Sequence, residues 1–461
     1  MEARFARGRI GAACVVGLVA WFATASLAAN ARAQEFAGEW TLDSESAPSG
    51  WEQGSAANPG CAECGGYGCD GCEGGENCCG GSFQQDCGCC FPYSGMQRWW
   101  FTGELLLWRM SGSQLPPLLT ENRLGFPPTL ALASTDMLAG GNVAEDSWRT
   151  GYRLEFGVWF DDCQELALVG DYFNIGQDDY DYFYPGGSGT NVGRPYFDTQ
   201  LGVQFYRPIS GNYEDANGDP ISYDGTVNVT YDDDFQGAGL WVQQRVWMVG
   251  DASGYGPSTQ VTILGGYRFF SYDSQLRIDD SRTVVSGDGA GGREFRRDLF
   301  NTDNEFHGGE FGVMARFTQM GCWFDGLVKL AIGGQKKQAS VNGSSVLIPD
   351  GVVPSYEEGG WLTSPDTNIG NYSDSRVRFI PTFRLGAGVR LTPQWTFQAG
   401  YTAVVWGGVA RAAALTPPNL AVDPRNVPPG SGGGGAAPVF PGLGGSELVA
   451  HGLDLGIEYR Y

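Results

Sequence analysis

The chain has 461 residues, a formal charge of −23, 72 glycines, 13% aromatic residues and only 18% charged ones. So acidic a balance excludes a nucleic-acid binder, because phosphate contacts need clustered Lys and Arg, and lysine occurs only at Lys329, Lys336 and Lys337. The mean hydropathy is −0.22, and beyond residue 33 no run is long and apolar enough for a transmembrane helix, which leaves a closed barrel as the one way to span a bilayer.

Arg4, Arg7 and Arg9 precede an apolar run from Ile10 to Leu27, and Ala31-Arg32-Ala33 supplies the small residues of a cleavage site. This order reads as a secretory signal peptide over 1–33, with an uncleaved N-terminal anchor as the alternative. Residues 34–96 form a Gly-rich segment that holds Cys61, Cys64, Cys69, Cys72, Cys78, Cys79, Cys87, Cys89 and Cys90. Cys61, Cys64, Cys69 and Cys72 make two CxxC knuckles, which in a reducing compartment would suit a tetrahedral zinc. In the oxidising envelope that a signal peptide implies, a disulfide framework over all nine is the better default. Nine is odd, which leaves room for a link to Cys163 or Cys322 or to a cysteine-linked envelope partner. With almost no apolar residues the segment cannot build a core and reads as a cross-linked periplasmic appendage.

From 97 to 461 the dominant period is two. Over 148–160, Trp148, Thr150, Tyr152, Leu154, Phe156, Val158 and Phe160 alternate with Arg149, Gly151, Arg153, Glu155, Gly157 and Trp159. Over 376–391, Val377, Phe379, Phe383, Leu385, Val389 and Leu391 share a parity opposite to Arg376, Arg378, Arg384, Gly386, Gly388 and Arg390. Pro381 in that run cannot donate a ladder hydrogen bond, so a bulge or a locally unpaired site is expected there. Weaker strands are expected over 98–110, 164–175, 194–206, 223–231, 236–248, 259–272, 306–318, 322–333 and 394–406. Leu453, Leu455, Ile457, Tyr459 and Tyr461 give the final strand an apolar face opposite Asp454, Gly456, Glu458 and Arg460. Apolar residues outward and polar ones inward, with Trp99, Trp100, Trp148 and Tyr459 near strand ends, suit an outer-membrane barrel and its aromatic girdles. The expected fold is an all-β, antiparallel up-and-down transmembrane barrel of about twelve strands, within ten to fourteen.

Asp161-Asp162-Cys163-Gln164, Thr318-Gln319-Met320-Gly321 and Thr392-Pro393-Gln394 are short turns, whereas 111–146, 176–193, 273–303, 334–375 and 407–448 are long. With strands simply alternating, all the short turns fall on one side, the periplasmic one, and all the long segments on the other. Asp178-Asp179-Tyr180-Asp181 and Asp232-Asp233-Asp234 read as solvated acidic loops, with divalent cations as a minor alternative. The runner-up fold is a soluble sandwich or propeller.

No nucleophile elbow, HExxH helix or phosphate loop appears, and the mature chain has only His307 and His451, far apart, so an enzyme and a cofactor are not expected. The candidate functional groups are the charges on the lumen parity. Arg149, Arg153, Arg376, Arg378, Arg384 and Arg390 face Glu104, Glu155, Glu310, Asp454 and Glu458, a transverse field that selects small hydrophilic solutes in a pore. The alternative is that they pair and fill a closed lumen, the barrel being only an anchor for adhesive or structural loops. Gly151, Gly157, Gly386, Gly388 and Gly456 on the same parity argue for space. The expected partners are a lipid bilayer, small solutes and, as is common for porins, further copies of the chain.

Phe101-Thr-Gly-Glu-Leu-Leu-Leu-Trp108, followed by Leu115-Pro-Pro-Leu118, resembles the opening of β-barrel porin family seven of planctomycete-type bacteria. The resemblance continues through Tyr152–Phe160 into a Cys-containing turn and through Arg194-Pro-Tyr-Phe-Asp198. It covers about residues 97–461, and departs at Arg109, where a second Trp is common. It implies an outer-membrane location and a porin role, without a substrate.

Overall fold

Alternating side chains build ten long strands. In chain order they are β1 (Trp99–Met110), β2 (Trp148–Trp159), β3 (Leu166–Tyr184), β4 (Pro220–Gly250), β5 (Ser258–Ser286), β6 (Arg293–Gln319), β7 (Cys322–Ile348), β8 (Gly370–Arg390), β9 (Trp395–Val409) and β10 (Ser446–Arg460). The structure is a computed structural model that describes residues 97–461 apart from 145–146, 162–163, 188, 216, 251–255 and 427–434. The expected leader, the cysteine cluster and Cys163 lie outside the described residues.

Each strand pairs antiparallel with its neighbour in sequence, and β10 returns to β1 with Trp100 opposite Arg460, so the ring closes. The wall therefore has ten strands, the lower end of the expected ten to fourteen. The expected strands 223–231 and 236–248 are one, because Asp232 and Asp234 keep the outward parity and Asp233 the buried inward one. The segment 194–206 belongs to a hairpin, Asn191–Asp198 with Val203–Glu214, that branches from the wall through pairing of Gly211–Glu214 with Pro220–Tyr223 of β4 and packs at the long-loop end of the barrel.

Outward residues such as Leu105, Phe156, Phe311 and Leu455 are exposed and apolar, as a lipid-facing belt requires. Strand heights are uneven. β4 to β7 run 27–31 residues, roughly 100 Å at about 3.3 Å per residue, against 12–15 residues, roughly 40–50 Å, for β1, β2, β9 and β10. Above the belt the outer face of the tall strands turns polar, as at Asp273, Gln275, Arg277 and Asp279 of β5, so the tall strands project past the apolar belt. The acidic runs expected in loops and most of 273–303 and 334–348 are thus strand, and only 287–292 turns between β5 and β6.

On the inner side this projecting wall buries Val227, Val229, Leu276, Ile278, Phe300 and Val341 against inserted loops carrying Leu118, Trp361, Leu415 and Leu420. The hairpin is held there by buried ion pairs. Arg194 reaches Asp280 (2.7 Å) and Asp298 (2.9 Å), and Arg207 reaches Asp280 (2.8 Å) and Glu294 (2.9 Å). Burial alone would raise Glu294, but Arg207, Arg296 and Arg282 override it and hold its carboxyl well below the usual carboxylate range. Burial and the charge of Arg207 push Arg296 down to about 10.

Among the described residues two seams of the wall are incomplete: β3 pairs with β4 as far as Tyr184 but with β2 only along Ala167–Ile175. β8 pairs with β7 along Gly370–Val389, but with β9 only along Thr382–Arg390. Pro381 sits where that pairing stops, as its missing N–H predicts.

Candidate functional site: the barrel lumen

Lumen-facing side chains fall into levels, starting from the end with the short turns. There a cavity of about 160 Å³, partly open to solvent, is walled by Trp100, Trp159, Trp241 and Trp323. Its inner surface carries two ion clusters. In the first, Arg153 of β2 pairs with Glu104 of β1 at 2.8 Å and lies 3.5 Å from Asp454 of β10, while Arg384 of β8 crosses the lumen to Glu104 and lies 3.7 Å from Asp454. Trp108 Nε1 donates to Asp454 at 2.8 Å, Thr402 donates to the same carboxylate, and Gln398 donates to Glu104 at 2.7 Å. In the second, Arg268 of β5 binds Glu310 of β6 (2.8 Å) and Asp171 of β3 (2.9 Å), and Lys329 of β7 lies 3.3 Å from Glu310. Both cations also sit over the Trp241 ring, Lys329 Nζ at 3.7 Å from its centroid. Buried charges survive in such a place because they are paired and hydrogen-bonded.

Immediately further in, Trp108, Phe173, Phe235, Phe270, Phe306 and Trp406 meet across the lumen. Successive ring centroids lie 5.7, 5.2, 5.8, 6.2 and 6.4 Å apart, which is direct aromatic contact. Leu106, Ile175, Ile380 and Val404 fill the gaps, and every member of this layer is at most 3% exposed. The layer is carried by the wall itself and not by a movable loop. Above it the chain from Ala410 crosses the lumen. Asn304 of β6 clasps Ala410 through both its N–H (2.7 Å) and its carbonyl (2.9 Å), Ser274 accepts from Ala412 N (2.9 Å), and Arg411 donates to Ser111 O (2.7 Å).

Of the lumen charges expected from parity, Arg153, Arg384 and Asp454 meet in the first cluster and Glu310 in the second. Glu155 accepts from Trp100 Nε1 at 3.2 Å, Glu458 pairs with Arg460 at 2.6 Å, and Arg390 stands at the short-turn end of β8. Arg149 lies level with Trp108 and binds Asp233, which also accepts from Tyr272 Oη at 2.8 Å. Arg378 lies beyond the aromatic layer, donating to Gln335 at 3.2 Å, and Arg376 is exposed beside Asp374. The ladders are therefore split by the layer and do not form one continuous field. His307 and His451 each sit against a tyrosine, Tyr267 (2.5 Å) and Tyr401 (2.6 Å).

The lumen-parity glycines do not leave space. A Cβ on Gly157 would meet the ring of Trp100 and one on Gly388 the ring of Trp323; one on Gly386 would lie 2.5 Å from Asp325 Oδ1 and one on Gly456 2.7 Å from the Glu104 side chain. Gly151 is closed off by the neighbouring backbone at Ile175 (2.9 Å). Gly157, Gly386, Gly388 and Gly456 instead make room for a neighbouring side chain. Asp171, Arg268, Lys329, Trp241 and the six-ring layer were not singled out from sequence, although all keep the lumen parity of their strands.

The family described as putative beta barrel porin-7 (BBP7) has a model that matches residues 100–461. The chain belongs to that family. The description is of a porin-like β-barrel, and the closed ten-stranded wall of this chain is such a barrel. It is similar to the outer membrane protease OmpT from Escherichia coli (8% identity, covering 79% of this chain and 97% of that one, TM-score 0.32). It is also similar to a TodX monoaromatic hydrocarbon channel mutant (9%, 79% and 90%, TM-score 0.20) and to a Pseudomonas aeruginosa FadL homologue (7%, 79% and 89%, TM-score 0.20). No curated protein matches the BBP7 sequence described here.

Proposed function

We propose that this protein is an outer-membrane barrel closed to free diffusion, which anchors the tall β-structure standing beyond the bilayer at its long-loop end, the extracellular side. The signal-like N-terminus supports delivery by secretion, and the porin family supports a role without catalysis. The observation that carries the reading is the aromatic layer. Six contacting rings borne by the wall, each essentially without solvent exposure, support closure between the periplasmic chamber and the inserted loops among the described residues. The ion clusters beneath are internally paired and serve to hold the wall in register across the lumen rather than to conduct.

The chamber favours a second reading, a channel for small hydrophilic solutes that opens only when the layer rearranges. One experiment separates the two. Single-channel recording of the refolded, leader-free protein in a planar bilayer is expected to show no steps, while Phe235→Gly with Phe270→Gly, which removes two central rings, is expected to show them. Discrete steps from the unaltered protein, with an ion preference moved by Arg384→Glu, would overturn the anchor reading and establish the channel.

A further inference from the structure

The chamber beneath the aromatic layer holds an orphaned donor. Trp241 of β4 is 5% exposed and lines the chamber, yet its Nε1 has no hydrogen-bond partner among the described residues. A buried N–H without an acceptor is destabilising, so its presence calls for a reason. The carboxylates around it are already engaged. Glu104 and Asp454 accept from Arg153, and Glu310 and Asp171 accept from Arg268. Unused donors remain beside them. Arg384 Nε is buried without a partner, and Lys329, with three donors, reaches Glu310 at 3.3 Å through one of them. A solute in this chamber therefore has to offer acceptors.

Charge narrows the class. Each ion cluster sets two cations against two carboxylates. Glu155 of β2 lines the same chamber and accepts from Trp100 Nε1 at 3.2 Å, but joins no ion pair among the described residues. An anionic solute would satisfy Trp241 and add a second uncompensated negative charge beside Glu155. An organic cation would answer Glu155, leave the indole N–H without an acceptor and meet Lys329. A neutral hydroxyl compound does both tasks, because each hydroxyl accepts and donates. The tryptophans of the wall offer apolar surface to the C–H faces of a ring. The volume of about 160 Å³ is below the roughly 300–1,000 Å³ of sites for drug-sized ligands, so one small molecule fits and a chain does not.

We infer that the chamber is a binding site for a small neutral polyhydroxy solute, a single sugar ring, with Trp241 Nε1 donating to one hydroxyl and Glu155 accepting from another. The solute enters and leaves by the mouth at the short-turn end. That it returns by the same mouth rests on the closed-layer reading above; the binding itself does not.

The test is calorimetric titration of the full chain, in micelles of a detergent without a sugar headgroup, with glucose, glucuronate and protonated glucosamine, one ring in three charge states. The unaltered protein is expected to give saturable heat with glucose and weaker binding of both charged forms. Trp241→Phe keeps a ring and removes the N–H, and is expected to bind glucose about fivefold more weakly. Trp148→Phe, at an outward-facing residue 60% exposed, is the control and is expected to bind normally. Should Trp241→Phe lose its heat-modifiable folded band, Glu155→Leu carries the test, with about a tenfold loss expected for a hydrogen bond to a charged group. No saturable heat with any of the three overturns the site, and equal affinity of Trp241→Phe and Trp148→Phe overturns its placement. Preference for glucuronate or glucosamine overturns the neutral class. Conductance is read separately, so a protein that binds glucose and also conducts refutes the closed layer alone.

Discussion

Replacing Arg384 by methionine isolates what the crossed ion cluster does for the barrel. Glu104 and Asp454 are offset by Arg153 and Arg384, two carboxylates against two guanidiniums. Arg384→Met keeps much of the apolar stem but leaves two buried carboxylates to one cation. Arg153 holds Glu104 at 2.8 Å and Asp454 only at 3.5 Å, so it cannot serve both closely. Neutral donors remain, Gln398 on Glu104 and Trp108 and Thr402 on Asp454, and these soften the loss without supplying charge. Removing one partner from a buried ion set costs about 3–5 kcal/mol. Adding Glu104→Gln restores the balance at one carboxylate to one cation, and the double variant is expected to recover at least half of that loss, a coupling of about 2 kcal/mol. Reversible urea unfolding in phospholipid vesicles, followed by tryptophan emission, measures both variants and the single Glu104→Gln. An Arg384→Met barrel within about 0.5 kcal/mol of the unaltered one, or a double variant less stable than both singles, would refute the pairing as a structural element.

Gly157→Ala and Gly388→Ala are each expected to destabilise the barrel by about 1–3 kcal/mol, because the added methyl meets the rings of Trp100 and Trp323. Gly103→Ala, with its nearest neighbouring atom 4.0 Å away, should leave the thermal midpoint of the heat-modifiable band unchanged. On the projecting outer wall, partial burial and the facing charge of Asp303 push the Asp273 carboxyl up to about 7. A raised carboxyl binds more protons folded than unfolded, so this pair should favour the fold below about pH 4 and lose that stabilisation as pH rises through 7. Asp303→Asn should flatten that slope in thermal melts between pH 5 and 8, and an unchanged slope would remove the pair as its source.

Period-two reading was strongest where one face meets lipid. Along β2 and β10 the outward and inward sets fall as the alternation requires, because lipid tolerates only apolar side chains and a one-residue slip would reverse every one of them. The signal weakened beyond the bilayer, where the outer face is wet. There Asp232 and Asp234 point to solvent and Asp233 inward to Arg149, so the alternation holds in position while composition suggests a loop. Alternation also carries no record of a strand's place within the sheet, and so Asn191–Asp198, on a branch off the wall, reads like a wall strand. For the lumen, parity placed Arg153, Arg384, Glu310 and Asp454 inside. The partner across the barrel, as for Glu104 and Arg384, is 280 positions away and leaves no local trace. The glycines had the right parity and the opposite meaning, since a vacant Cβ on one strand is where the neighbouring strand's tryptophan lies.

Closure of the ring between β1 and β10 also sets the order in which the molecule can assemble. Trp100 and Arg460 are opposite one another and 460 − 100 = 360 positions apart, so one edge of the first strand has no partner until the whole meander has been laid down. A loop of that length closes slowly, and until it does the growing sheet presents two bare edges able to pair with any extended chain nearby. The remaining joints of the wall are hairpins or connections between sequence neighbours, so assembly has a single late step, and holding those two edges apart from other chains is the task of whatever escorts the protein to its membrane.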